Sequence, residues 1–222
     1  MHKGTSINLH NRRRKQYKHK TYDFTRIKMI LREEWKMFTL VSLFFSGMII
    51  GAISVKHTDN MLNARLVIMF SDYTMLRTTQ SFFQTFINSF SVCLLFLLVV
   101  FTSGLCAVGA PIIAIVPLFR GIGIGVVSGY LYSTYSMSGA GYCMTVIFPS
   151  AIISTAALLF GCNESFIMSY EIYNIISGKT QNKHGNLFKK YSIRFSILLI
   201  IMLLSAIIDT ITTMIFASKF NF

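Results

Sequence analysis

Apolar residues fall in five long runs along the chain, at residues 37–55, 82–108, 118–135, 142–161 and 191–217. About 20 helical residues, rising 1.5 Å each, cross a hydrocarbon core roughly 30 Å thick. Every run is long enough to do so. The pattern predicts an all-α integral membrane protein with about five transmembrane helices. Flanking segments predict short amphipathic helices at the membrane surface. In residues 22–36, Phe24, Ile27, Leu31 and Trp35 recur at helical spacing while Lys28, Arg32 and Lys36 take another face. This reads as a juxtamembrane amphipathic helix with Trp35 at headgroup level. Residues 56–80 are polar, but Leu62, Leu66, Phe70 and Tyr73 suggest a second surface helix. Residues 1–21 are basic and polar and read as a disordered tail. The organisation expected is therefore tail, surface helix, and one membrane domain over 37–217.

Prolines and glycines punctuate the runs. Pro111 and Pro117 stand six apart, and proline removes a helix hydrogen bond and clashes with the preceding turn. Broken backbone is expected between them, a short loop at 136–141, and a kink at Pro149. Gly121, Gly125 and Gly129 are four apart, so they line one face of a helix. Gly47 and Gly51 make a similar pair in the first span. A glycine costs about 1 kcal/mol in a helix interior relative to alanine. In lipid, helices associate by close van der Waals contact, and a groove without side chains lets a second backbone approach. These five glycines are read as helix-packing positions, with the Ser150/Ser154 and Ala157/Gly161 rows as further candidate partners of the 121–129 row. A dinucleotide-binding loop would need a preceding strand and surrounding water, which a membrane span does not offer.

Charge then sets the orientation. Of 21 Lys/Arg residues, 11 precede residue 37 and five lie between Lys179 and Arg194. Five spans put the tail, Arg120 and the 179–194 region on one side. The positive-inside rule makes that side cytoplasmic, with the N-terminus inside and the C-terminus outside. A net charge of +13 raises the question of nucleic acid. Basic residues that flank apolar spans are more simply contacts to anionic membrane lipid, and no nucleic-acid partner is expected. No signal-peptide pattern opens the chain, so the first span is expected to stay as an anchor. The overall composition, 53% apolar and 13% charged with mean hydropathy +0.57, agrees. The four cysteines match neither a zinc site nor a disulfide framework.

Three polar residues stand out in the apolar runs. Asp209 is the one carboxylate deep in a span, Asn88 lies in the outer part of the second, and Arg120 opens the third. An intramembrane carboxylate is a functional candidate by default. A proton or cation relay usually needs further acidic or histidine groups, and the five histidines lie outside the spans. The residues favour an Asp209 that fixes helix packing over one that carries ions. Arg120 reads as a cytoplasmic cap, its charge reaching lipid phosphate from the helix end. No serine elbow, metal-spaced His/Glu pair or Walker loop occurs. No enzyme activity, cofactor or metal is expected.

One order of features is distinctive. A helix ends in Gly104-Leu-Cys-Ala-Val-Gly-Ala-Pro111, an apolar stretch reaches Phe119-Arg-Gly-Ile-Gly-Ile-Gly125, and a later span centres on Ile147-Phe-Pro149. A helix over 163–176 and a final span complete it. This resembles the stage II sporulation protein M family, most specifically over residues 85–175. The resemblance implies a five-span protein of the cell membrane needed for forespore engulfment. It implies a non-enzymatic scaffold for two peptidoglycan-degrading enzymes, sporulation proteins D and P of the same stage. Where family members often carry a Pro-Gln-Asn type sequence, this chain has Pro149-Ser150-Ala151. Membrane lipid and such hydrolases are the partners expected, and a homo-oligomer stays open. The rival reading is a transporter or permease subunit, for which the Pro111–Pro117 break and Asp209 speak.

Overall fold

The computed structural model describes residues 35–55, 81–177 and 184–216. The tail, residues 22–34 of the juxtamembrane helix, the surface helix at 56–80, the start of the basic loop at 179–183 and the last six residues lie outside the described residues. Residues 1–39 and 40–222 form two compact units. The first is described only from Trp35, where the Thr39 hydroxyl donates to the Trp35 carbonyl at 2.7 Å.

All regular structure among the described residues is helical. Helix α1 is Trp35–Val55, α2 is Phe82–Gly104, and α3 is Ala110–Tyr142. A π-helical turn, Cys143–Ile147, leads into α4, Phe148–Ile176, and α5 is His184–Phe216. Four helical runs are long and apolar enough to cross a membrane: Trp35–Val55, Phe82–Gly104, the 67-residue run Ala110–Ile176, and Leu187–Phe216.

The longest of these is not straight. The Arg120 guanidinium donates to Ser154 Oγ at 2.9 Å, yet 34 helical residues would separate the two by about 50 Å. The chain doubles back at Ser136, whose φ of 48° and ψ of −121° match the first central position of a II′ turn. Gly139 closes the hairpin: a Cβ there would overlap the Leu131 carbonyl oxygen. The break expected between Pro111 and Pro117 is instead at 105–109, just before α3. Pro111 sits in the first turn of α3, where its missing N–H is one of the unpaired donors every helix start has. Pro117 lies buried inside a helix that continues past it, as lipid-embedded helices tolerate. The 136–141 loop is a one-residue reversal followed at once by helix.

Cross-contacts set the direction of each helix. Asp209 meets Ser150 and Tyr191 meets Ser165, so α4 and α5 are antiparallel. Asp209 also meets Ser89, and Tyr191 meets Phe101, so α2 and α5 are antiparallel too. The first limb of α3 runs against α4 by the hairpin, and α1 runs parallel to that limb along the glycines described below. The core follows the same frame. One cluster, including Leu40, Leu97, Val100, Ile113, Val116, Leu158, Cys162 and Met202, lies among α1–α5 on the side of the α2 C-terminus. A second, with Val55, Tyr130, Leu131, Tyr142 and Val146, fills the hairpin end. Outward faces carry Ile53, Leu95, Phe119, Ile152 and Ile200, each about half exposed or more. That is unfavourable in water and matched to lipid tails.

The α2 terminus shows how lipid-embedded backbone is satisfied. The last carbonyls of a helix have no intrahelical donor. Here Tyr191 Oη donates to the Phe101 carbonyl, one of these, at 2.9 Å, while Ser165 Oγ adds a donor to Val100 one residue back at 3.0 Å and Ser169 Oγ one to Cys106 just past the helix at 2.8 Å. The Tyr191 ring stacks on Phe101 with centroids 5.1 Å apart. Near this end the Arg194 guanidinium pairs with the Glu164 carboxylate.

Candidate functional site

The side chain of Asp209 is buried, 6% exposed, at the junction of three helices. Its Oδ1 accepts from Ser150 Oγ of α4 at 2.9 Å. Its Oδ2 accepts from Ser89 Oγ of α2. One turn back on α5, Ser205 Oγ donates to the Ser150 carbonyl at 2.8 Å. One turn on along α4, Ser154 Oγ donates to the same carbonyl at 3.0 Å and accepts from Arg120. Residues four apart lie on one helix face, which is why Ser150/Ser154 and Ser205/Asp209 meet as pairs.

Arg120 is the surprise. Because α3 begins at Ala110, Arg120 lies ten residues inside it, about 15 Å from its start, and not at the end where a cap would sit. Its guanidinium turns inward, to Ser154 and over the Phe96 ring at 5.5 Å from the centroid. Cys93 of α2 lies against Arg120 and Ser154 and within electrostatic range of Asp209. One cation and one anion thus occupy the interior of one bundle, linked by Ser154 and Ser150. The arrangement has a physical logic. A lone charge away from water is costly, whereas opposite charges with hydroxyl partners offset one another.

The glycines form a separate feature. A Cβ on Gly121 would overlap the Phe44 carbonyl oxygen, and one on Gly125 that of Met48; one on Gly129 would come within 3.0 Å of Ala52 Cα. In return, a Cβ on Gly47 would overlap the Leu118 carbonyl, and one on Gly51 that of Ile122. Five glycines on two parallel helices thus bring backbone against backbone. Gly123 meets nothing within 4 Å. Ser150 and Ser154 face Asp209 and Arg120, not this groove, and Gly161 has only ordinary contacts, such as Leu198 at 3.4 Å.

Two expected positions remain. Asn88 lies on the exposed side of α2, next to Ser89, which turns in. Pro149 is in the first turn of α4, directly after the π-helical turn. That turn coincides with a reach from α5, where Thr212 Oγ1 lies 3.4 Å from the Val146 carbonyl. Sequence reasoning did not assign Ser89, Phe96 or Ser205 to a polar site. The i, i+4 spacing of Ser205 from Asp209 was a usable signal, whereas the inward turn of Arg120 required the true start of α3. Among the described residues, no three His, Cys, Asp or Glu side chains come together as metal ligands would.

Comparison with known proteins places these features. The family model described as Stage II sporulation protein M matches residues 40–214, a range that takes in the glycine groove, the Arg120–Asp209 cluster and the capped end of α2. No curated protein and no solved structure matches the chain.

Proposed function

Because the chain belongs to the stage II sporulation protein M family, we propose that it is a non-enzymatic membrane scaffold that recruits and positions peptidoglycan-degrading enzymes, as in forespore engulfment. The family match over residues 40–214 carries this reading. The interior chemistry is consistent with it. The carboxylate, the guanidinium and the serines bond to one another, which serves to hold helices in register.

The scaffold reading includes a topology. The Ser136 reversal divides the run Ala110–Ile176 into two crossings, which makes five, and the helix directions above alternate as five successive crossings require. The 16 Lys/Arg that precede residue 37 or lie between Lys179 and Arg194 orient the N-terminus to the cytoplasm and the C-terminus outward. The partners are wall hydrolases of the stage II sporulation D and P type, met through the 56–80 segment and the outer ends of the helices, where the wall lies. Anionic membrane lipid contacts the basic side.

A permease subunit is the second reading, and the buried Asp209 is the observation that favours it. Purification from gently solubilised membranes, followed by mass spectrometry of what comes with the chain, separates the two. Wall hydrolases are expected. An ATPase subunit in their place would overturn the scaffold in favour of the permease.

A further inference from the structure

Arg120 carries more hydrogen-bonding capacity than its surroundings use. A guanidinium has five N–H donors. Among the described residues, Ser154 Oγ is the one acceptor they reach. The other groups close to it are the Phe96 ring and the Cys93 thiol. No described carboxylate pairs with it, because Asp209 is held by Ser150 and Ser89. The charge stands about 15 Å from the start of α3, near mid-depth in a bilayer about 30 Å thick.

Two further observations mark the same place. Gly123 is three residues on from Arg120, so the two share a side of α3. Gly121, Gly125 and Gly129 meet the α1 backbone, but a Cβ on Gly123 would meet nothing within 4 Å. A glycine inside a helix is unfavourable relative to alanine, and here no close packing offsets it. What the missing side chain leaves is open space one turn from Arg120. On α4, Thr155 directly follows Ser154, the partner of Arg120. It is 6% exposed, and its Oγ1 is a buried polar atom without a hydrogen bond. A buried hydroxyl left unpaired is destabilising.

We propose that Arg120 is the centre of a binding site for a small inorganic anion of halide size. A cation inside a bilayer calls for a counter-charge or polar partners. The unused groups here are donors: the remaining guanidinium N–H groups, the Cys93 thiol and the Thr155 hydroxyl. Such a set stabilises an anion and repels a cation. Asp209 offsets the guanidinium only at a distance, through Ser150 and Ser154. Water would meet the same donors but would bring no counter-charge. The ligand is small because the Phe96 ring covers one side and the open space at Gly123 is that of an absent side chain. The site requires neither the scaffold nor the permease reading.

The test uses the full-length chain purified in mild detergent, with gluconate exchanged for chloride at constant ionic strength. Gluconate is too large for the space at Gly123. Chloride is expected to raise the thermal midpoint by about 2–4 °C, the shift given by a ligand at about five times its dissociation constant. Arg120→Gln removes the charge and is expected to abolish the rise. Gly123→Leu fills the open space; it is expected to fold in normal amount and to lose the rise as well. That variant keeps the test decisive if Arg120→Gln does not fold. Lys189→Gln, on the exposed surface of α5, is expected to keep the rise. No response to chloride in the unmodified chain would mean that water meets these donors, and would overturn the proposal. A rise that persists in Arg120→Gln or in Gly123→Leu would place chloride on the basic surface of the chain, and would overturn it too.

Discussion

Arg120 and Ser154 are 34 positions apart in the chain and 2.9 Å apart in space. That contact does two things. It requires the longest apolar run to fold back on itself, and it draws a guanidinium into the bundle toward Asp209. The fold and the charge arrangement follow from the same contact.

If the two charges offset each other, removing one is more harmful than removing both. Asp209→Asn and Arg120→Gln are each expected to lower the thermal midpoint in detergent. The double variant is expected to lose less than the sum of the two. Interaction energies between residues of one network run about 0.5–3 kcal/mol, which is resolvable in a double-mutant cycle. Strict additivity would mean that the two groups do not sense each other.

The glycine groove predicts a contrast within one helix. Gly125→Leu drives a side chain into the Met48 backbone, an overpacking of at least 1–3 kcal/mol, and is expected to lower the amount of folded protein. Gly123→Leu meets open space and is expected to be tolerated. Equal tolerance of both would remove the groove as a packing element.

Ser136 is the one described non-glycine residue with positive φ, a conformation that costs about 1–3 kcal/mol for a side chain. Ser136→Gly is expected to raise the thermal midpoint, and Ser136→Val to lower it. No gain with glycine would mean that the reversal is not strained.

Tyr191→Phe keeps the ring on Phe101 but leaves the Phe101 carbonyl without its 2.9 Å donor. The expected loss is about 1–3 kcal/mol, read as a lower detergent midpoint. Ser165→Ala is expected to give a loss of similar size, since its hydroxyl supports the same α2 terminus.

Much of the fold is written in local pattern. Runs of apolar residues, and glycines four apart, report on a helix and on one of its faces, and both depend only on helical geometry. What the pattern does not encode is where backbone breaks in lipid. Proline rules drawn from helix interiors suggested a break across Pro111 and Pro117, but a proline in the first turn is harmless, and the true break at 105–109 has no proline. That shift moved the start of α3 by eight residues, from 118 to 110, and carried Arg120 from the helix end into the interior. The polar cluster was legible in part. Asp209 stood out by its charge, but its partners are serines, which are common in membrane helices and gain meaning only when three helices converge.

The proposed topology requires an odd number of crossings, with the hairpin at Ser136 counted as two of them. Reporter fusions placed after residue 20, near Lys183 and after Phe222 test it most directly. The first two are expected to read as cytoplasmic and the third as external. A cytoplasmic signal from the fusion after Phe222, with the first two also cytoplasmic, would give an even number of crossings and contradict the five-helix bundle.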